Sequence, residues 1–201
     1  MSKKLKIGIT GGIGSGKSTF CDFLKAEKYP VLYADDIAKS LMSTNDEIIR
    51  AIQSAFGEQS YRENELQRDY LSREVFSNPE KLQQLNAIVH PAVIRESAIL
   101  LDAALREHDL VFYEAALIFE AHMENLFDYV ILLTAPQEKR INRISVRDNT
   151  SEEKILSRMR NQMSDEIKKD KADLVILNDG SIEDLQSKVK FAISILSTIP
   201  T

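Results

Sequence analysis

The stretch Gly11-Gly12-Ile13-Gly14-Ser15-Gly16-Lys17-Ser18-Thr19 fits the pattern G-x-x-x-x-G-K-[ST] without deviation. An apolar run, Leu5 to Thr10, precedes it, and a run of helical character, Ser18 to Lys28, follows. A strand before and a helix after are the context in which this motif cradles phosphates. Glycines let the backbone curl so that successive N–H groups face one point, and the positive end of the helix dipole strengthens the field there. Lys17 adds a full charge at the β/γ-phosphates, and the Ser18 hydroxyl can ligate Mg²⁺. The expected nucleotide contacts are Gly12, Ile13, Gly14, Ser15, Gly16, Lys17, Ser18 and Thr19. Five of the seven glycines lie between Gly8 and Gly16, so the punctuation is local to this loop.

Outward from the loop, strand and helix alternate. Short apolar strands are expected at Val31 to Ala34, Asp109 to Ala115, Tyr129 to Thr134 and Leu174 to Leu177. From Ile37 to Arg106 the chain reads as almost wholly helical, with breaks near Gly57 to Tyr61, Ser77 to Pro79 and His90-Pro91. A charged helical stretch spans Gln137 to Lys169, and a last amphipathic helix spans Ile182 to Leu196. Several strands are unbroken apolar runs, which favours a parallel sheet covered by helices on both faces. Ligands of such sheets bind beyond the carboxyl ends of the strands.

Composition agrees with one soluble domain carrying an inserted part. The chain has 201 residues, 43% hydrophobic and 28% charged, with a net charge of −5. That balance gives no dominant positive field for nucleic acid. No apolar run approaches the ~20 residues of a membrane span, and no signal peptide is visible. A single cysteine, Cys21, lies among Phe20, Phe23 and Leu24. It reads as a small buried hydrophobe and fits a reducing, cytoplasmic compartment.

The remaining chemistry-bearing residues are acids and arginines. Asp35 follows the second strand, where a carboxylate can accept the proton of an attacking hydroxyl. Its neighbour Asp36 reads as the cap of a helix starting at Ile37. Five of the eleven arginines fall between Arg140 and Arg160. Arg140, Arg143 and Arg147 are spaced to share one helix face, and Thr150-Ser151-Glu152-Glu153 reads as a capping box for the next helix. Helices bearing cations next to a phosphate cradle suit a lid over the γ-phosphate. Glu114, at the end of the third strand, fits either a water-mediated Mg²⁺ contact or a structural role. His90 fits either acceptor binding or a turn. No Asn-Lys-x-Asp segment for guanine is present.

Taken in order, these pieces resemble the bacterial dephospho-CoA kinase family. The resemblance rests on Thr10 to Ser18, Tyr33-Ala34-Asp35, Leu71 to Phe76, Leu85 to Pro91, Leu117 to Glu120, Arg140 to Asp148 and Leu177 to Gly180. Tyr33 and Leu177 stand where that family often has aspartate, Glu114 where it has aspartate, and Ala116 where it has proline. The resemblance implies an α/β adenylate-kinase-like P-loop fold. Its nucleotide core would be 1–36, 107–136 and 172–201, its helical acceptor insert 37–106 and its lid 137–171. It implies Asp35, Lys17 and Arg140 as catalytic residues and adds Arg143, Arg147 and Asn178 to the ATP contacts. Acceptor binding falls to Asp35, Phe76, His90, Arg95, Glu120 and Arg140. ATP and dephospho-CoA would be the substrates and Mg²⁺ the cofactor, in a monomer or small homo-oligomer. A nucleoside or nucleotide monophosphate kinase of the same architecture would share every feature but the acceptor insert. A nucleotide-dependent switch would share the cradle alone.

Overall fold

Five strands form the sheet that carries the phosphate loop. They are β1 (Leu5–Thr10), β2 (Val31–Tyr33), β5 (Leu110–Glu114), β6 (Tyr129–Thr134) and β7 (Leu174–Leu177), in the order β2-β5-β1-β6-β7. β1 pairs in parallel with both β5 and β6, and β6 in parallel with β7. The central position of β1 follows from its composition. Leu5, Ile7 and Ile9 are fully buried, as expected of a strand covered on both faces. The computed structural model describes residues 4–76 and 78–199, with the Phe76 side chain outside them.

Contacts divide the chain into two compact units, Met1–Leu32 with Leu101–Thr201, and Tyr33–Leu100. In the first, α1 (Lys17–Ala26) buries Phe20, Cys21 and Leu24. α9 (Ile182–Thr198) buries Leu185, Val189, Ala192 and Leu196, a stripe at intervals of three and four residues. Ser181 caps α9 by accepting the Asp184 N–H at 3.2 Å. Three further helices, α6 (Gln137–Asp148), α7 (Glu152–Arg160) and α8 (Asp165–Lys171), lie between β6 and β7 in the chain.

The second unit holds α2 (Ala34–Thr44), α3 (Asp46–Phe56), α4 (Arg68–Phe76) and most of α5 (Pro79–Glu107). Asn45 caps α3 by accepting the Glu47 and Ile48 amides, and Ile48, Ile52 and Phe56 form its buried stripe. The unit is not wholly helical. β3 (Tyr61–Arg62) and β4 (Glu65–Leu66) form an antiparallel hairpin. Its two turn residues, Glu63 and Asn64, both have positive φ, 52° and 66°. Such a turn matches the strand twist, but Glu-Asn announces it less clearly than Asn-Gly does.

Three local expectations are corrected. His90-Pro91 is not a break, because α5 runs through it. Pro91 costs the Ala87 carbonyl its intrahelical donor, a penalty of ~3 kcal/mol. The stripe Val89, Ala92 and Val93 is buried on both sides of the proline and keeps the helix continuous. Asp36 is not a cap, since α2 begins at Ala34 with extended Tyr33 as its N-cap. Asp35 and Asp36 instead occupy the first turn, where their charges meet the positive end of the dipole. The capping box also fails to form: the N-cap of α7 is Ser151, and its side chain makes no capping hydrogen bond.

Candidate active site

The loop between β1 and α1 closes on itself through backbone conformations that suit glycine. Gly16 caps α1 with φ 103°, and a Cβ there would stand 2.1 Å from Asn178 Nδ2. A Cβ on Gly12 would stand 2.1 Å from Arg140 Nη2. Bare backbone is therefore required for what packs on the loop as well as for its curvature. Ser15 is buried, whereas Ser18 and Thr19 are exposed in the first turn of α1.

Lys17 folds back over the loop. Its ammonium donates to the Gly11 carbonyl at 2.8 Å and lies 3.7 Å from Glu114 Oε1, at the end of β5. Burial lowers its pKa; Glu114 opposes the shift, while the charges of Lys168 and Arg140 reinforce it. Lys17 thus stands between the Glu114 carboxylate and the positive charges of Lys168 and Arg140.

Helix α6 brings two arginines onto the loop. Arg140 Nε donates to the Ile13 carbonyl at 2.9 Å, and its Nη1 donates to Asp165 Oδ2 at 3.0 Å. One turn later, Arg143 Nη2 donates to the Asn178 carbonyl at 3.0 Å, and Asn178 Nδ2 donates to the Ser15 carbonyl at 2.8 Å. Arg147 is not brought to the loop. It pairs with Asp148 at 2.7 Å on the exposed end of α6, and Arg158 pairs with the same carboxylate at 3.1 Å.

Three residues that the sequence reading did not single out hold this region together. Gln162, between α7 and α8, accepts the Ile13 N–H through Oε1 at 2.9 Å. Asp165 holds Arg140. Lys168 is fully buried, pairs with Glu120 Oε1 at 2.8 Å and donates to the Ala116 carbonyl at 3.1 Å. Glu120 Oε1 also accepts the Met163 N–H at 2.9 Å, and its Oε2 is buried without a hydrogen-bond partner among the described residues. Beside α6, α7 and α8 lies a cavity of about 660 Å³, lined among others by Arg140, Met159, Gln162, Asp165 and Leu177.

Within the second unit, Asp35 is exposed in the first turn of α2, two residues beyond β2. His90 is half-buried within α5, and burial lowers its pKa. Arg95 lies on the same helix with its side chain exposed. Phe76 ends α4, and its side chain lies outside the described residues.

A parallel sheet with a glycine-rich lysine loop between its central strand and the following helix defines the P-loop nucleotide-binding proteins. Residues 5–184 match the family model described as dephospho-CoA kinase. The chain belongs to that family. It is 40% identical over 184 residues to a dephospho-CoA kinase of Salinibacter ruber, covering 90% of this chain and 92% of that one. A relative of the same description from Thermus thermophilus is 39% identical over 95% of this chain and 91% of its own length. The solved dephospho-CoA kinase of Campylobacter jejuni superposes with a TM-score of 0.73 at 29% identity, over 96% of each chain.

Proposed function

We infer that this enzyme transfers the terminal phosphoryl group of ATP to dephospho-CoA, at the 3′-hydroxyl of its ribose, forming coenzyme A and ADP. The observation that carries the reading is the family match over residues 5–184, joined to a loop on which Lys17, Arg140 and Arg143 converge.

Phosphoryl transfer asks a protein chiefly for position and charge. The loop amides and Lys17 hold the phosphates, with Gly12 to Thr19 and Asn178 as the nucleotide site. Arg140 and Arg143 stabilise the equatorial oxygens of the transferred group from the lid, segment 137–171. Arg147 joins them only if its pair with Asp148 opens. Asp35 takes the proton from the attacking hydroxyl. Acceptor recognition is assigned to segment 37–106, with Phe76, His90 and Arg95, and to Glu120 and Arg140 outside it. The rest of the chain forms the nucleotide core.

Mg²⁺ fits the donor set. In such sites it keeps several waters and binds a side-chain oxygen or two plus phosphates. Ser18 offers an exposed hydroxyl beside Lys17, and the Glu114 carboxylate lies 3.7 Å from the Lys17 ammonium. Ser18 would hold the ion directly and Glu114 through water. The ion would supply charge neutralisation between the β- and γ-phosphates. A cytoplasmic location suits ATP as donor, and among the described residues no helix is long and apolar enough to cross a membrane.

Phosphorus NMR of the product from Mg-ATP and dephospho-CoA tests the reading. A new phosphomonoester on the ribose 3′ carbon is expected. Phosphate on another atom, or no product, overturns it.

A further inference from the structure

Arg140 is a flexible side chain on a lid helix, yet its guanidinium is held on two sides. Nε is bound by the Ile13 carbonyl of the phosphate loop, and Nη1 by Asp165 Oδ2. The same carboxylate oxygen accepts the Thr134 hydroxyl at 2.6 Å. Thr134 is buried, the last residue of the sheet strand β6. A continuous path therefore runs from the sheet through Thr134 and Asp165 to Arg140 and the lip of the loop.

Stability is a poor reason for this arrangement. The side chains of Arg140 and Asp165 are only 11% and 15% exposed, so desolvation offsets much of their attraction. What the arrangement fixes is geometry. An unrestrained arginine keeps its rotamer freedom until it meets a phosphoryl group, and must lose it then. Here it is already lost, and the guanidinium is referenced to the sheet rather than to its own helix.

We propose that Asp165 is a positioning residue for phosphoryl transfer, anchored on Thr134 and holding the Arg140 guanidinium against the phosphate loop. The inference rests on the reading of Arg140 as the arginine that meets the transferred group.

The test is a kinetic double-mutant cycle on the full chain. Arg140→Met is expected to lower kcat by about 100-fold, and Asp165→Asn by about 10-fold with the KM for ATP within about twofold. The doubly substituted enzyme should match Arg140→Met alone, because Asp165 acts only through the arginine. Thr134→Val, which keeps the carboxylate and removes its anchor, should give a smaller loss of kcat that also vanishes in the Arg140→Met background. If either loss multiplies that of Arg140→Met, or Asp165→Asn leaves kcat unchanged, the positioning role is wrong while the arginine's role stands. If Arg140→Met itself is silent, the reading of Arg140 fails, and Asp165 falls with it.

Discussion

The Asn178 carboxamide sits against Gly16, its Nδ2 donating to the Ser15 carbonyl at 2.8 Å, where a Cβ on Gly16 would approach it to 2.1 Å. The loop after β7 thus braces the phosphate loop, and the brace needs a residue without a side chain in a left-handed conformation. Gly16→Ala meets both the clash and the φ of 103°. Its expected effect is loss of nucleotide binding by about 100-fold or more with the fold retained, measured by ADP titration alongside circular dichroism. Retained affinity would show that the brace is slack.

Gln162 occupies a donor that a phosphate oxygen would take, the Ile13 N–H. Its removal exposes that amide, and one neutral hydrogen bond is worth ~1 kcal/mol. Gln162→Ala should therefore bind ADP about fivefold more tightly. Gln162→Glu, which sets a negative charge at the same amide, should bind it at least about tenfold more weakly. Calorimetric titration reads both. Weaker binding by the alanine variant would mean that Gln162 supports the nucleotide instead of competing with it.

Asp35 and Lys17 should separate chemistry from binding. Asp35→Asn is expected to lower turnover by roughly 100-fold or more with ATP affinity nearly unchanged. Lys17→Ala should lower both together. Steady-state rates paired with equilibrium ATP binding decide it, and full turnover in the asparagine variant would leave Asp35 only its place in the first turn of α2.

Cys21 is buried, which pushes its thiol up to about 12. An unfolded thiol ionises from about 8.5, so between these values the folded chain binds more protons than the unfolded one. Stability owed to the neutral thiol is present below that range and lost as pH rises through it, at up to about 1.4 kcal/mol per pH unit. Urea unfolding of wild type and Cys21→Ala from pH 8 to 10.5 should show wild type losing more stability. Parallel curves would contradict the burial argument.

β1, β6 and β7 were legible to the residue, because an apolar run bounded by Gly, Pro or charge has few other fates. The phosphate loop was legible because its chemistry is contiguous. His90-Pro91 misled because a proline reads locally as a break, whereas Val89, Ala92 and Val93 bury as one stripe across it. Asp36 misled because helix starts are set by backbone geometry within one or two residues. Gln162, Asp165 and Lys168 were missed for another reason. Their partners Ile13, Arg140 and Ala116 lie 149, 25 and 52 residues away, and no local pattern encodes such contacts. The one available signal was the unpatterned stretch Asn161 to Ser164 inside a helical run, which marks a bend where side chains can turn inward.

Phosphoryl transfer directed to one acceptor is read from acceptor-dependent ADP release with Mg-ATP. Dephospho-CoA, AMP, CMP, dTMP, adenosine and no acceptor would be compared at equal concentration. Release is expected with dephospho-CoA alone, with coenzyme A as the product. Equal or faster release with a nucleoside monophosphate, or release indifferent to every acceptor, would contradict it.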